Sequence, residues 1–519
     1  MRIALRPSEV ITIERTMELL LFYVTCLILA ASSVHLLDLL SDRRRNLPPG
    51  PRPLPLVGSL LSLGALPHRS LARLAERHGP VMALRLGTVT TVVASSADAA
   101  RDFLKRHDAA FSARAAPDGA HVFAHYAHSM GWLPATSPRW RALRKVCSGE
   151  LFAPHRLDTQ QALRQEKVRQ LVSHVDRLAR AGEPVRVGRL AFATALNLLS
   201  STIFSTDLAD LDDVPGVAPA GGEFKAVLAE VNFTVGLPNV SDFFPEIARL
   251  DVQGLRRRIE GLFRRLHGMI DDLIEHRLRE RDADGEPTKK NFLDVLLDYR
   301  SVEDGRGFER QTILSLISDL FSAGTDTSSA TVEWAMAELL LNPSSMARAR
   351  DELDQVVGSK PAIEESDIGQ LKYLQTIVKE TFRLHPPAPF LLPHLAETTT
   401  QVRGYTVPKG ARVLVNAWAL GHDAEVWPEP EKFVPERFLE KEVDFRGRDF
   451  ELLPFGSGRR MCPGMPLAVR MVHLMLASLL HRFQWSLPAD VEKNGLDMSE
   501  RLGVNLAMAT PLQVIATPV

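Results

Sequence analysis

The stretch Pro454-Phe-Gly-Ser-Gly-Arg-Arg-Met-Cys-Pro-Gly464 constrains this chain more than any other. Gly456, Gly458 and Gly464 permit turns that other residues resist, and Pro463 lacks an N–H and stiffens the exit. The spacing predicts a loop that presents the sulfur of Cys462 to backbone N–H groups aimed at it. Residues 465–482 follow with helical apolar spacing, and the dipole at that helix start favours a negative sulfur. Such donors fix a thiolate and tune a metal that it holds. A buried structural cysteine in a glycine-rich turn is the competing reading. A dinucleotide loop is excluded, because Met461 stands where the third glycine after Gly456-Ser-Gly458 would be.

The rest of the composition narrows the setting. The 519 residues carry a net formal charge of -1, which gives no global reason for a nucleic-acid partner. An apolar content of 45% suffices for a sizeable core. There are 3 cysteines, Cys26, Cys147 and Cys462, and their spacing is neither a disulfide framework nor a zinc site. The expected setting is reducing, and thiol chemistry falls to one cysteine.

Residues 19–37 read LLLFYVTCLILAASSVHLL, with no Lys, Arg, Asp or Glu, about the length of a bilayer-spanning helix. A cleaved signal peptide is the rival, since Ala30-Ala31-Ser32-Ser33 resembles a cleavage site. The cluster Asp42-Arg43-Arg44-Arg45 directly after favours a retained helix with the remaining chain cytosolic. Met17 offers an alternative start to Met1. The expected organisation is an N-terminal extension at 1–18, a transmembrane anchor at 19–40, a basic, proline-rich hinge at 41–64 and one large domain at 65–519. Five prolines between Leu47 and Gly58 predict a stiff extended segment in that hinge.

Beyond the hinge, apolar spacing predicts helices over 139–151, 159–181, 189–203, 254–280, 311–341, 343–357 and 372–384. Strand-like runs occur at 81–86, 92–94, 401–407 and 412–415 and again near the C-terminus, and 282–291 reads as a polar loop. The fold class is mainly α with small β-sheets. Within 311–341, Gly324 costs roughly 1 kcal/mol in a helix interior. Its neighbours Thr325, Asp326 and Thr327 compete for helix hydrogen bonds, so a local widening is expected at 323–328, with hydroxyls bonding back to the preceding turn as the competing reading.

Phe455, Gly458, Arg460, Cys462 and Gly464 match the pattern Phe-x-x-Gly-x-Arg-x-Cys-x-Gly, and here the sequence resembles the cytochrome P-450 superfamily. The runs GLPNVSDFFPE at 236–246 and LAVRMVHLMLASLL at 467–480 look like its plant geraniol 8-hydroxylase-like group, which mostly hydroxylates terpenoids and some phenolics and xenobiotics. The resemblance implies the cytochrome P-450 fold preceded by one N-terminal transmembrane helix. It implies haem b (iron protoporphyrin) with Cys462 as the metal ligand and Phe455 and Gly464 beside the cofactor. Trp140, Arg144 and Arg460 would hold the propionates, joined by His394, which stands where the family usually has arginine. The run Ala323-Gly-Thr-Asp-Thr-Ser328 matches the oxygen-activation motif, so Asp326 and Thr327 would deliver protons. Glu380, Arg383 and Arg437 would form a buried structural triad.

The same resemblance implies a pocket walled by Phe123, Leu320, Ala323, Phe390, Leu391 and Val504 for a small hydrophobic substrate, used with O2. Because no flavin or nicotinamide motif appears, electrons would come from NADPH–cytochrome reductase, with cytochrome b5 as a further candidate donor. The implied location is the endoplasmic reticulum membrane, single-pass, with the catalytic domain cytosolic. The expected activity is NADPH-dependent hydroxylation of a plant metabolite, a terpenoid first, with phenolics, alkaloids or xenobiotics as alternatives. A haem-thiolate isomerase or dehydratase, or a non-catalytic haem-binding protein, stands as the rival class.

Overall fold

The computed structural model describes Leu19, Phe22, Tyr23 and Thr25, then residues 46–212, 222–284, 290–302 and 304–519. The expected extension at 1–18 and most of the anchor at 19–40 lie outside the described residues. Among the described residues, one helix is long and apolar enough to cross a membrane, Val187–Phe204, and 72% of it is buried inside the fold. An apolar helix with protein on nearly every side is a core element.

The helices that frame the site are α1 (Pro138–Val146), α2 (Gln161–Ala181), α3 (Val187–Phe204), α4 (Gly222–Val235), α5 (Leu255–Asp284), α6 (Arg310–Leu341), α7 (Pro343–Val356), α8 (Lys372–Leu384) and α9 (Met465–Arg482). Helix α6 runs through the middle of the molecule, and its C-terminal half, from Ala330 to Leu339, is buried on all sides. It packs on α3, α8 and α9 in the main hydrophobic core.

The strands are β1 (Val81–Leu86), β2 (Val89–Ala94), β3 (Ala113–Arg114), β4 (Val185–Arg186), β5 (His394–Leu395), β6 (Thr400–Val402), β7 (Tyr405–Val407), β8 (Arg412–Val415), β9 (Phe483–Ser486), β10 (Glu500–Leu502), β11 (Leu506–Met508) and β12 (Gln513–Pro518). The largest sheet has the order β1-β2-β8-β5-β3. Val81 faces Ala94 across the antiparallel β1/β2 pair, and Thr91 faces Arg412 across the parallel β2/β8 pair. The proline segment lies along β1: Ala83 N donates to Pro49 O at 2.9 Å, and a Cβ on Gly50 would stand 1.9 Å from Ala83 O.

Several expectations are corrected. The run 401–407 is not one strand but the hairpin β6/β7, reversed at Arg403 (φ +53°) and Gly404 (φ +83°). The run 139–151 is α1 followed by a wider π-turn at Cys147–Leu151. Strand β2 starts at Val89, before the expected 92. The expected widening at 323–328 is absent, and α6 is continuous. Thr325 Oγ1 donates to Phe321 O (2.8 Å) and Thr327 Oγ1 to Ala323 O (2.6 Å), so the hydroxyls bond back to the preceding turn and leave the helix ladder whole.

Candidate active site

The cysteine loop is closed by Cys462 N donating to Phe455 O at 3.0 Å. Gly458 is indispensable to its shape: φ is +69°, and a Cβ there would meet Leu104 O at 2.3 Å. Cys462 sits just before α9, and the backbone N–H groups of Gly464 and Met465 point at its sulfur. Burial pushes the thiol pKa up, and those two donors with the Arg144 charge oppose the shift. The sulfur is deep in the protein, yet its free surface opens onto an internal cavity of about 430 Å³.

One wall of that cavity is cationic. Arg114, Arg144 and Arg460 all line it, and among the described residues none has an ion-pair partner. Burial, then the Arg460 charge, lowers the Arg114 pKa to about 9. Burial, then Arg144, lowers that of Arg460 to about 10. Arg144 is lowered by burial and partly restored by Cys462. Arg460 donates to Ser112 O (2.8 Å), Met130 O (3.3 Å) and Leu133 O, and its guanidinium lies 4.9 Å over the Trp140 ring. Trp140 Nε1 donates to Met130 O at 3.2 Å.

His394 departs from its expected donor role. Its ring is buried, and burial with the Arg114 charge holds its pKa well below the usual value. Nδ1 lies 2.6 Å from Phe111 O and must therefore be the protonated nitrogen. The neutral ring then offers only an acceptor at Nε2. Arg114 stands directly opposite His394 in the β3/β5 pair and brings a guanidinium to the same cavity. Sequence reasoning passed over Arg114 because Ala113–Arg114 is too short to show a period.

Asp326 and Thr327 also line the cavity. Burial raises the Asp326 pKa to about 6, opposed by a hydrogen bond from Asn232 and by the Arg501 charge. Asn232 Nδ2 donates to Asp326 Oδ2 at 2.8 Å, and Asn505 Nδ2 to Asp326 O at 3.2 Å. Neither asparagine carried a signal in the sequence. Leu320, Ala323, Leu391, Val504, Phe455 and Gly464 all contribute to the wall.

Phe123 and Phe390 do not line the cavity. Left-handed backbone at Phe123 (φ +49°) and Ala124 (φ +51°) turns the Phe123 ring outward, beside His267 and Arg264 of α5. The Phe390 ring faces His68 and the small core under β1 and β2.

Away from the cavity, Arg383 grips Glu380 through two bonds of 2.7 Å, and Arg437 Nε donates to the same carboxylate at 3.1 Å. Arg383 also donates to Gly421 O, Pro430 O and Lys432 O at 2.6 to 2.9 Å. These bonds tie α8 to the segment that leads into the cysteine loop.

A buried set of three guanidinium groups without carboxylates calls for an anion, and a cysteine sulfur on the same cavity calls for a metal. A porphyrin with two propionates and an iron satisfies both. The cytochrome P-450 family profile matches residues 48–512. The chain is 47% identical to a geraniol 8-hydroxylase of Catharanthus roseus over 492 residues, 95% of this chain and 98% of that protein. It is 45% identical over 474 residues to a 7-ethoxycoumarin O-deethylase of Helianthus tuberosus, covering 91% and 94%. It is 42% identical over 474 residues to a ferruginol synthase of Salvia miltiorrhiza, again covering 91% and 94%. Likeness over that length, with a cysteine loop that opens onto a cavity lined by buried arginines, makes the chain a member of the cytochrome P-450 family, a haem-thiolate monooxygenase.

Proposed function

We propose that this chain hydroxylates a small hydrophobic plant metabolite, a terpenoid, at a b-type haem, with electrons from NADPH–cytochrome reductase. One observation carries the reading: the Cys462 sulfur, the cationic wall and the Asp326–Thr327 pair face one cavity whose remaining walls are largely apolar. Apolar walls with few polar groups suit a hydrophobic ligand. The terpenoid assignment draws on the names of the relatives from Catharanthus roseus and Salvia miltiorrhiza.

The haem, when bound, supplies oxygen activation, and thiolate ligation favours O–O cleavage. The residues of the chain do the rest. Cys462 holds the iron, and the Gly464 and Met465 N–H groups hold the sulfur. Arg114, Arg144 and Arg460 neutralise the propionates, with Trp140 packed beneath Arg460. Asp326 offers a carboxyl whose pKa burial raises to about 6, suited to passing a proton, and Thr327 places a hydroxyl one residue on. Leu320, Ala323, Leu391 and Val504 keep water out. Glu380, Arg383 and Arg437 stay structural.

The reductase docks on the cysteine side, and cytochrome b5 is a second donor. Residues 19–40 anchor the chain once in the endoplasmic reticulum membrane, residues 41–64 form the hinge, and the domain at 65–519 faces the cytosol. Residues 1–18 are an extension ahead of the anchor. Phenolic and xenobiotic substrates form a second reading, favoured by the 7-ethoxycoumarin O-deethylase relative. The intact Asp326–Thr327 pair argues against an isomerase or dehydratase.

Membranes containing the chain and a reductase test the proposal, with NADPH, O2 and panels of monoterpenols, diterpene hydrocarbons and simple phenolics analysed by mass spectrometry. NADPH-dependent hydroxylated terpenoids are expected. Products from phenolics alone would overturn the substrate assignment, and a thiolate spectrum without any NADPH-dependent product would overturn the reaction.

A further inference from the structure

Two loops that wall the cavity hang from one buried stack behind it. The first follows α8 and brings Pro387, Ala388 and Leu391 to the cavity. The second, between β10 and β11, brings Val504 and Asn505. The loops are joined directly, with Leu506 N donating to Pro387 O at 2.9 Å. That bond alone does not fix their distance from α6, which carries Leu320, Ala323 and Thr327 to the same cavity.

The stack sets that distance. Trp334 on α6 is 0% exposed and lies face to face with His385, the ring centroids 3.9 Å apart and the planes 2° from parallel. Trp334 Nε1 donates to Leu506 O at 3.2 Å. One turn further along α6, Glu338 Oε1 lies 2.7 Å from His385 Nε2. A carboxylate only accepts, so that nitrogen carries the proton. His385 stands two residues before Pro387, and the circuit closes: Trp334 to His385, along the chain to Pro387, across to Leu506 and back to Trp334. Trp334, Glu338 and His385 themselves stand behind the lining of the cavity.

Apolar filling alone does not call for these side chains. His385 Nδ1 is buried with no partner among the described residues, a cost that a phenyl ring would not carry. What histidine adds is orientation, since its bond to Glu338 holds the ring parallel to the indole.

We propose that Trp334 and His385 are positioning residues that set the substrate selectivity of the cavity, by fixing both loops to α6 as one unit without touching the substrate. A close-packed interior transmits strain, so a shift of the stack passes to both loops together. The inference rests on this cavity being the substrate site, and binding alone tests it.

The test is a spectral binding titration of the full-length, haem-loaded chain without reductase. Its probes are two compounds of different shape that the parent binds, drawn from geraniol, 7-ethoxycoumarin and a diterpene hydrocarbon. Trp334→Phe keeps a ring over His385 but removes the bond to Leu506 O. It should change the ratio of the two dissociation constants by about threefold to tenfold, the range set by one hydrogen bond. His385→Gln keeps an N–H for Glu338 but no ring over Trp334, and should move the ratio too. Trp427→Phe is the control: it removes an equally buried bond, Nε1 to Leu420 O at 3.0 Å, behind no part of the cavity lining. It should lower the unfolding midpoint and leave the ratio alone.

A ratio that stays at the parent value in Trp334→Phe and His385→Gln would overturn the proposal, even with a lowered midpoint, because the stack would then be structural only. An equal shift in Trp427→Phe would also overturn it. So would loss of haem loading in both stack variants, or a parent that binds fewer than two of the probes. The titration needs no turnover, so a missing NADPH-dependent product would tell against the monooxygenase reading alone.

Discussion

Burial lifts the Asp326 carboxyl from its ordinary aspartate value to about 6. In the unfolded chain the group ionises first, at the ordinary aspartate value of 3.8. The folded state is therefore favoured below that pH, loses stability as pH rises toward about 6, and is level above it. Asp326→Asn should leave the unfolding midpoint unchanged at the acid end and raise it above pH 6, by at most about 3 kcal/mol of stability. The same substitution should lower turnover by roughly 10²–10⁴-fold, as loss of a proton-transfer group does. A midpoint difference that does not vary with pH would refute the assignment. Asp326 and Thr327 were legible because they are contiguous in one motif. Asn232, which donates to that carboxylate from 94 residues away, was not, because only the packing of α4 on α6 brings it there. His394 was legible as a position but not as a tautomer, which depends on the carbonyl of Phe111.

At the scale of elements, α8 is pinned by a charge cluster with no solvent. The side chains of Glu380 and Arg383 are both 0% exposed, and that of Arg437 is 10% exposed. Removing one charge leaves the other buried and unpaired, a loss of about 3–5 kcal/mol. Glu380→Gln should therefore lower the unfolding midpoint sharply and reduce the yield of haem-loaded protein. Arg383→Lys alone should lower it too, since an ammonium cannot hold a carboxylate in two places and three carbonyls as well. A midpoint within error of the parent would contradict this. Long amphipathic or apolar helices such as α6 and α9 could be read from spacing alone. The hairpin at Arg403–Gly404 and the continuity of α6 could not, because one depends on left-handed backbone and the other on where each threonine hydroxyl finds its carbonyl.

For the whole molecule, a bound haem would act as a structural counter-ion. Arg114 sits buried beside Arg460 with no carboxylate partner among the described residues. Arg114→Leu should speed transfer of haem to an acceptor protein, yet raise the unfolding midpoint of the haem-free chain, because it removes an uncompensated buried charge. Changes of the same sign in both measurements would refute the counter-ion account. Deleting residues 1–45 should leave the haem spectrum unaltered and move the protein out of the membrane fraction. Continued pelleting with membranes would place the attachment elsewhere in the chain. The cavity unites the cysteine loop, α1, α4 and α6 and the short β3/β5 pair, segments hundreds of residues apart, so its walls were only partly legible. Leu320 and Ala323 could be placed from the α6 motif, whereas the outward turn at Phe123 could not.

The most direct measurement is the difference spectrum of the reduced protein with and without carbon monoxide. Ligation by the Cys462 sulfur predicts the red-shifted Soret band of a thiolate-bound haem in the parent chain and its disappearance in Cys462→Ala. A thiolate-type band that survives that substitution, or none in the parent chain, would contradict the account.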